Sequence, residues 1–336
     1  MSKITTSIYR PTPANLRRLA AALRRGELVA VPTETVYGLA ANALDARACR
    51  RIFAAKRRPT HDPLIVHVLD LRQAAALAEI SPAAEKLARR FWPGPLTLVL
   101  PRRSTVPDIV TAGRDSVAIR SPVHLLARRL LRLTGLPLAA PSANPFGYVS
   151  PTTAAHVRDG LVGRIRHILD GGPCRVGVES TIVDMRDPAR PKILRPGAIS
   201  REAISRCLHR AVRLQETGRP AGNARGELAP GMLEQHYSPR TPLVVVGKLT
   251  ASVIHAAPEN SGFIYFEKPS DIRLTGQEFW LSRGGDAREA ARNLYAVLRR
   301  ADQGRFARLW VEAPPGALGP LAGAINDRLR RASAGR

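Results

Sequence analysis

Short apolar runs alternate with longer helix-like stretches through the first half of this 336-residue chain, and prolines close most of the runs. Leu28 to Val31, Leu64 to Val68, Leu96 to Leu100, Val117 to Ile119 and Leu136 to Ala140 read as strands, with Ala46 to Ala55 and Leu125 to Leu133 as helices. Proline cannot donate to a sheet ladder, so Pro32, Pro63, Pro101, Pro137 and Pro141 mark strand ends and turns. The alternation predicts an α/β fold. The length exceeds one average domain and predicts two.

From about Arg201 to Met232 the pattern decays into a basic stretch containing Gln215-Glu-Thr-Gly-Arg-Pro-Ala-Gly-Asn-Ala-Arg-Gly, which reads as an interdomain linker. Beyond it, Leu243 to Val246, Gly262 to Phe266, Glu278 to Leu281 and Leu309 to Val311 read as strands, and Ala287 to Arg300 and Leu318 to Arg331 as amphipathic helices. The expected organisation is a first domain at 1–213, a linker at 214–241 and a smaller α/β domain with a largely parallel sheet at 242–336.

Composition narrows the function classes. The net charge of +25 comes almost wholly from arginine, since only six of the 52 Lys and Arg are lysines. A field this positive draws polyanions, and solubilising surface arginine competes with an RNA-facing patch as its explanation. Cys49, Cys174 and Cys207 stand far apart without a C-x-x-C pair, which suggests neither a zinc site nor a disulfide framework. No signal-like segment opens the chain and no run of eighteen apolar residues occurs, so the expected location is the cytoplasm, away from membranes. Neither G-x-x-x-x-G-K-[ST] nor G-x-G-x-x-G is present, so a bound nucleotide needs a different phosphate cradle.

Six segments place polar groups at strand ends. Pro32-Thr-Glu-Thr-Val-Tyr-Gly offers small hydroxyls, which suit a ligand or cap their own backbone. Lys56-Arg57-Arg58 finishes a helix, where cations also complement the dipole. The same segment runs on into Leu64 to Val68, where alternation sends His67 to one face with Ile65, as a core residue or a ligand group. Val117-Ala-Ile-Arg120 ends in a guanidinium whose fork suits a carboxylate, from a ligand or from the protein. Ala140-Pro-Ser142-Ala-Asn144 through Ser150 is a polar loop, and Gly177-Val-Glu179-Ser180-Thr181 and Leu194-Arg195-Pro-Gly197 complete the set. Hydroxyls, an imidazole and several cations, with no Ser-His-Asp order, favour charge neutralisation over covalent catalysis.

In order and wording these segments resemble the threonylcarbamoyl-AMP synthase family, whose catalytic module is the YrdC-like domain. Lys56-x-Arg58 and Ser142-x-Asn144 look like its paired K-x-R and S-x-N signature, joined by Pro63-Leu-Ile-Val-His and Phe91-Trp-Pro-Gly-Pro-Leu-Thr. Ala229-Pro-Gly-Met-Leu-Glu-Gln-His236-Tyr237-Ser-Pro is similar to a segment of the longer, two-domain members. Coverage runs from Tyr9 to Val246. The resemblance implies a twisted mixed sheet with a concave cleft, and synthesis of threonylcarbamoyl-AMP and pyrophosphate from L-threonine, bicarbonate or CO2, and ATP with Mg2+.

The same resemblance implies catalytic roles for Lys56, Arg58, Ser142 and Asn144. It implies a threonine site of Thr35, His67, Arg120, Ala140 and Ser180. Lys56, Arg58, Asp62, Ser116, Ser142, Asn144, Ser150, Arg195 and Tyr237 would bind ATP, with Mg2+ held through its phosphates. Tyr237 would reach back over the nucleotide, with the linker as a lid. Asp62 departs from the neutral residue of many relatives, and its carboxylate repels phosphate unless it binds magnesium or faces away. Expected partners are weakly held tRNA and downstream threonylcarbamoyl-transferase proteins. The rival reading is a module that binds double-stranded RNA or tRNA without making an adenylate. Another carbamoyl-adenylate chemistry, found in larger hydrogenase-maturing proteins, is disfavoured because no zinc-finger cysteine pairs are present.

Overall fold

The computed structural model describes residues 4–215, 231, 236–270 and 277–334. Its first unit begins with β1 (Ser7–Tyr9), α1 (Pro13–Arg24), β2 (Val29–Val31), β3 (Gly38–Asn42), α2 (Ala46–Lys56) and β4 (Ile65–His67). It continues through α3 (Leu71–Ala75), α4 (Pro82–Phe91), β5 (Leu96–Pro101), α5 (Asp108–Thr111), β6 (Ser116–Arg120), α6 (Leu125–Thr134) and β7 (Leu138–Ala139). It closes with α7 (Ala154–Leu161), β8 (His167–Leu169), β9 (Thr181–Asp184), β10 (Lys192–Arg195), α8 (Arg201–Leu208) and β11 (Arg213–Leu214).

Local chemistry sets the helix starts. Thr12, Asp45, Ser81, Thr153 and Ser200 each accept a hydrogen bond from a first-turn N–H, and Pro13 and Pro82 occupy first-turn positions where no N–H is needed. The Ser200 cap belongs to α8, inside the stretch expected to be unpatterned linker. With only Ile204 and Leu208 buried, this eight-residue helix carries too little periodicity to be legible in the sequence.

The strands form one eleven-stranded mixed sheet in the order β1-β8-β2-β3-β7-β4-β6-β5-β9-β10-β11. Side chains alternate across it. One face carries the main core, with Leu64, Val66, Leu98, Leu100, Val117 and Ile119 packed against α2, α4 and α8. On the other face, α1 and α6 cover only the β8-β2-β3-β7 end, through Leu19, Leu23, Leu130 and Leu131. Beyond them a small apolar floor of Ile65, Val99, Ala118, Ile182 and Leu194 lies under a cleft.

A second, four-stranded sheet comprises β12 (Leu243–Val246), β13 (Ser261–Glu267), β14 (Glu278–Ser282) and β15 (Arg308–Glu312), with α9 (Ala251–Ala256), α10 (Ala287–Asp302) and α11 (Pro320–Ser333). Its order is β12-β15-β13-β14 and every pair is parallel. α10 and α11 pack toward the first unit. Val36, Val149, Val178 and Tyr237 share one core with Leu294, Tyr295, Leu298, Ile325 and Leu329.

Candidate active site

Arg120 ends β6 in register with His67 of β4 and Thr97 of β5, so its side chain rises from the open face of the sheet. Its Nε donates to the Gly94 carbonyl (3.2 Å), Nη1 to Thr35 Oγ1 (2.9 Å) and Nη2 to Glu34 Oε1 (2.5 Å). A guanidinium has five donors, so two remain for a ligand carboxylate. Burial alone would raise the Glu34 pKa, but the Arg120 charge and hydrogen bond hold it below the usual value. Thr33 forms the turn: its Oγ1 donates to the Val36 carbonyl and accepts from the N–H groups of Thr35 and Val36. Thr35 is thereby left facing Arg120. Burial and then Arg120 push His67 down to about 3, so the imidazole is neutral, and its Nδ1 has no hydrogen-bond partner.

The other end of the cleft gathers cations. Arg58 follows Arg57, whose left-handed backbone (φ 53°) closes α2. Arg58 donates to the carbonyls of Asp62 (3.1 Å) and Pro63 (2.8 Å) and pairs with the Asp62 carboxylate at 2.8 Å. Asp62 does not line the cleft: it is buried behind Arg58, and burial raises its pKa despite Arg58 and Lys56. Arg195, at the end of β10, donates to the Ser180 carbonyl and hydroxyl, both at 3.2 Å. Gly197 lets that turn close, because a Cβ there would meet Thr181 N at 2.5 Å and Glu179 O at 2.7 Å.

Lys56 stands apart from the residues that line the cleft. It is 1% exposed, does not line the cleft, and donates to the carbonyls of both Ser142 and Asn144. The K-x-R lysine therefore stitches the S-x-N loop from behind, and burial, then the Arg58 charge, drive its pKa well down. Asn144 holds the same loop through Nδ2 to the Pro145 and Tyr148 carbonyls.

One continuous cleft is lined by Thr35, His67, Arg120, Ala140 and Ser180, and also by Arg58, Ser142, Arg195 and Tyr237. Lys56, Asp62, Ser116, Asn144 and Ser150 do not line it. Ser150 lies directly behind Glu179, donating to its Oε1 at 2.7 Å. Ser116 shares the Arg120 face of β6, four residues and about 13 Å along the strand. Among cleft residues to which the sequence reading gave no role are Glu34's neighbour Thr33, Glu179, Gly231 and His236. Glu179 stood in a quoted segment, yet its importance rests on partners far away in sequence.

Tyr237 is 1% exposed at φ 65°, packed against His236 (4.1 Å between ring centroids), stacked on Tyr295 (5.8 Å) and under the Arg328 guanidinium (5.4 Å). The expected lid falls mostly on residues 216–230 and 232–235, outside the described residues.

Comparison with known proteins bears on this geometry. The Sua5_yciO_yrdC family, described as telomere recombination, matches residues 21–197, and the C-terminal domain of threonylcarbamoyl-AMP synthase matches residues 199–334. The chain is 41% identical to threonylcarbamoyl-AMP synthase of Pyrococcus abyssi, covering 95% of this chain and 94% of that one. It belongs to the threonylcarbamoyl-AMP synthase family. Members of this family are nucleotidyltransferase-type enzymes. The Bacillus subtilis threonylcarbamoyl-AMP synthase is 39% identical over 332 residues, covering 96% of this chain and 93% of its own. The crystal structure of P. abyssi Sua5 complexed with L-threonine superposes with a TM-score of 0.86 at 40% identity, covering 99% of this chain and 98% of that one.

Among the described residues no group of three or more His, Cys, Asp and Glu side chains could hold an ion. Glu34, Asp62 and Glu179 each pair with an arginine, namely Arg120, Arg58 and Arg328. These three carboxylates are thus engaged by arginine rather than gathered into one ligand set. Among the described residues no helix is long and apolar enough to cross a membrane.

Proposed function

We propose that this chain converts L-threonine, CO2 from bicarbonate, and ATP into threonylcarbamoyl-AMP and pyrophosphate, the first step toward N6-threonylcarbamoyladenosine in tRNA. The observation that carries the reading is a single cleft with a carboxylate-binding arginine at one end and two arginines suited to phosphate at the other. The relative with L-threonine bound supports the assignment of the amino-acid end.

In this reaction the threonine amine adds to the carbon of CO2 and loses a proton. A carbamate oxygen then attacks the α-phosphorus, and the bond to the β-phosphate oxygen breaks, so pyrophosphate leaves with the electron pair. Arg120 holds the threonine carboxylate away from phosphorus, beside Thr35, Ala140 and Ser180. Neutral His67 adds no positive charge that would hold the amine off. Arg58 and Arg195 offset phosphate charge, Ser142 orients nucleotide oxygens, and Ser150 acts from behind by bracing Glu179 at the cleft wall. Lys56 and Asn144 act by fixing the Ser142 loop, and Tyr237 packs over the nucleotide. Magnesium supplies further neutralisation when it arrives with ATP. The charge of +25 supports weak contact with tRNA, and the product passes to threonylcarbamoyl-transferase proteins in the cytoplasm.

The test is pyrophosphate release from ATP, magnesium and bicarbonate with and without L-threonine. Release that depends on threonine is expected, and threonine-independent release overturns the reading. Salt-sensitive RNA binding without threonine-dependent release would favour the RNA-binding alternative.

A further inference from the structure

A carboxylate lines the cleft where a polyanion is to bind. Glu179, just before β9, is 6% exposed, and both of its oxygens are engaged. Oε1 accepts from Ser150 Oγ (2.7 Å), and Oε2 accepts from the Tyr295 hydroxyl (2.7 Å) and Arg328 Nε (2.9 Å). Tyr295 lies on α10 and Arg328 on α11, so two of the three donors come from the second domain. Arg328 is 1% exposed and also donates to the Pro196 carbonyl (2.9 Å), beside Arg195, and to Asp327 (2.8 Å).

The surrounding contacts leave this junction little freedom. Arg299 of α10 donates to the carbonyls of Val149 and Ser150. Gly177 (φ +82°) lies so close to α10 that a Cβ there would meet the Ala291 carbonyl at 2.3 Å. A buried ion pair adds little net stability over an apolar contact. Here it sits at the wall of the cleft, not in the middle of the shared apolar core.

We propose that Arg328 is a positioning residue of the synthase reaction: from the second domain it neutralises Glu179 and so keeps Arg195, which lines the cleft, available to the nucleotide. The proposal rests on the reading given under "Proposed function". Its logic is electrostatic. Besides Arg328, the cation acting on Glu179 is Arg195, which an uncompensated Glu179 would draw away from phosphate. The other charged or titratable groups at this junction include Tyr295 and Arg299 of α10, Tyr237, His236, and Asp327 of α11, which is paired with Arg330 and Arg331 as well as with Arg328. Burial would raise the Glu179 pKa, and Arg328 heads the contacts that hold it down. Without Arg328 the carboxyl titrates higher, is tolerated when protonated, and repels ATP once ionised.

The experiment compares full-length R328M, Y295F, E179Q and the double variants R328M/E179Q and Y295F/E179Q by steady-state kinetics across pH, with a thermal melt for each. In R328M the KM for ATP rises by about tenfold to a hundredfold, and that for threonine by less than about threefold. The defect deepens as pH rises. R328M/E179Q recovers most of the loss, a rescue that a merely structural role would not give. Y295F shifts the KM for ATP the same way by about threefold, and carries the test if R328M does not fold. An ATP KM within about twofold of the parent in folded R328M, equal losses for both substrates, or no rescue by E179Q overturns the proposal, as does an unchanged Y295F. If the parent releases no threonine-dependent pyrophosphate, the functional reading has failed. Calorimetry with a non-hydrolysable ATP analogue then tests Arg328 separately: weaker binding in R328M restored by E179Q supports it, and unchanged binding refutes it.

Discussion

At the amino-acid end of the cleft, Glu34, Thr35, His67 and Arg120 come from strands and turns of the first domain and bond largely to one another. At the end assigned above to the nucleotide as a proposal, Ser150, Glu179 and Tyr237 lie against Tyr295, Arg299 and Arg328 of the second domain. One pocket is therefore self-contained and the other is an interdomain construction. On the proposed placement of the substrates, variants of the second domain should reach ATP before they reach threonine.

The most damaging way to break this contrast is Arg120→Ala. It removes the carboxylate clamp and strands buried Glu34, so kcat/KM for threonine should fall by about a thousandfold or more. A similar proportional loss in ATP affinity alone would contradict the division. Lys56→Met should come next. Two carbonyls of the Ser142 loop lose their buried donor, and chemical denaturation should show a loss of about 2–4 kcal/mol, together with a raised KM for ATP. Unchanged stability would mean that Lys56 does not stitch the loop.

A smaller effect is expected from acid. His67 is held at about 3 when folded, below its ordinary value near 6.5, so between those limits the unfolded chain binds the extra proton. Its contribution to stability is present above pH 6.5 and is lost as pH falls, at up to about 1.4 kcal/mol per pH unit. His67→Gln should flatten the melting profile over that window, and an equally steep profile would remove His67 as its cause. The smallest change is expected in Asp62→Asn. Asp62 sits behind Arg58 and outside the cleft lining, so KM for ATP should stay within about threefold. A larger shift would give the carboxylate a direct role.

The sequence displayed the elements whose apolar runs are long or β-branched, such as β5, β6 and β13, and the expected helices at α2, α6, α10 and α11. It hid β3, whose Gly-Leu-Ala-Ala-Asn composition has little strand character, and the three-residue β1 and β8. Alternation placed His67 with Ile65, and both line the cleft. Motif order pointed to Arg58, Ser142 and Arg195, but not to which residue faces the ligand: Lys56 turns inward from the last position of α2. Glu179 and Arg328 were illegible for a more basic reason. They meet across 149 positions, and an arginine near the end of α11 looks like an ordinary complement to the helix dipole.

The central claim is that threonine enters as a carbamate while Arg120 occupies its carboxylate. Mass spectrometry of the nucleotide product made from 13C-bicarbonate, ATP, magnesium and L-threonine tests this directly. Threonylcarbamoyl-AMP carrying one 13C is expected, with loss of product in Arg120→Ala. An unlabelled threonyl-adenylate, with the carboxylate itself joined to phosphorus, would contradict it.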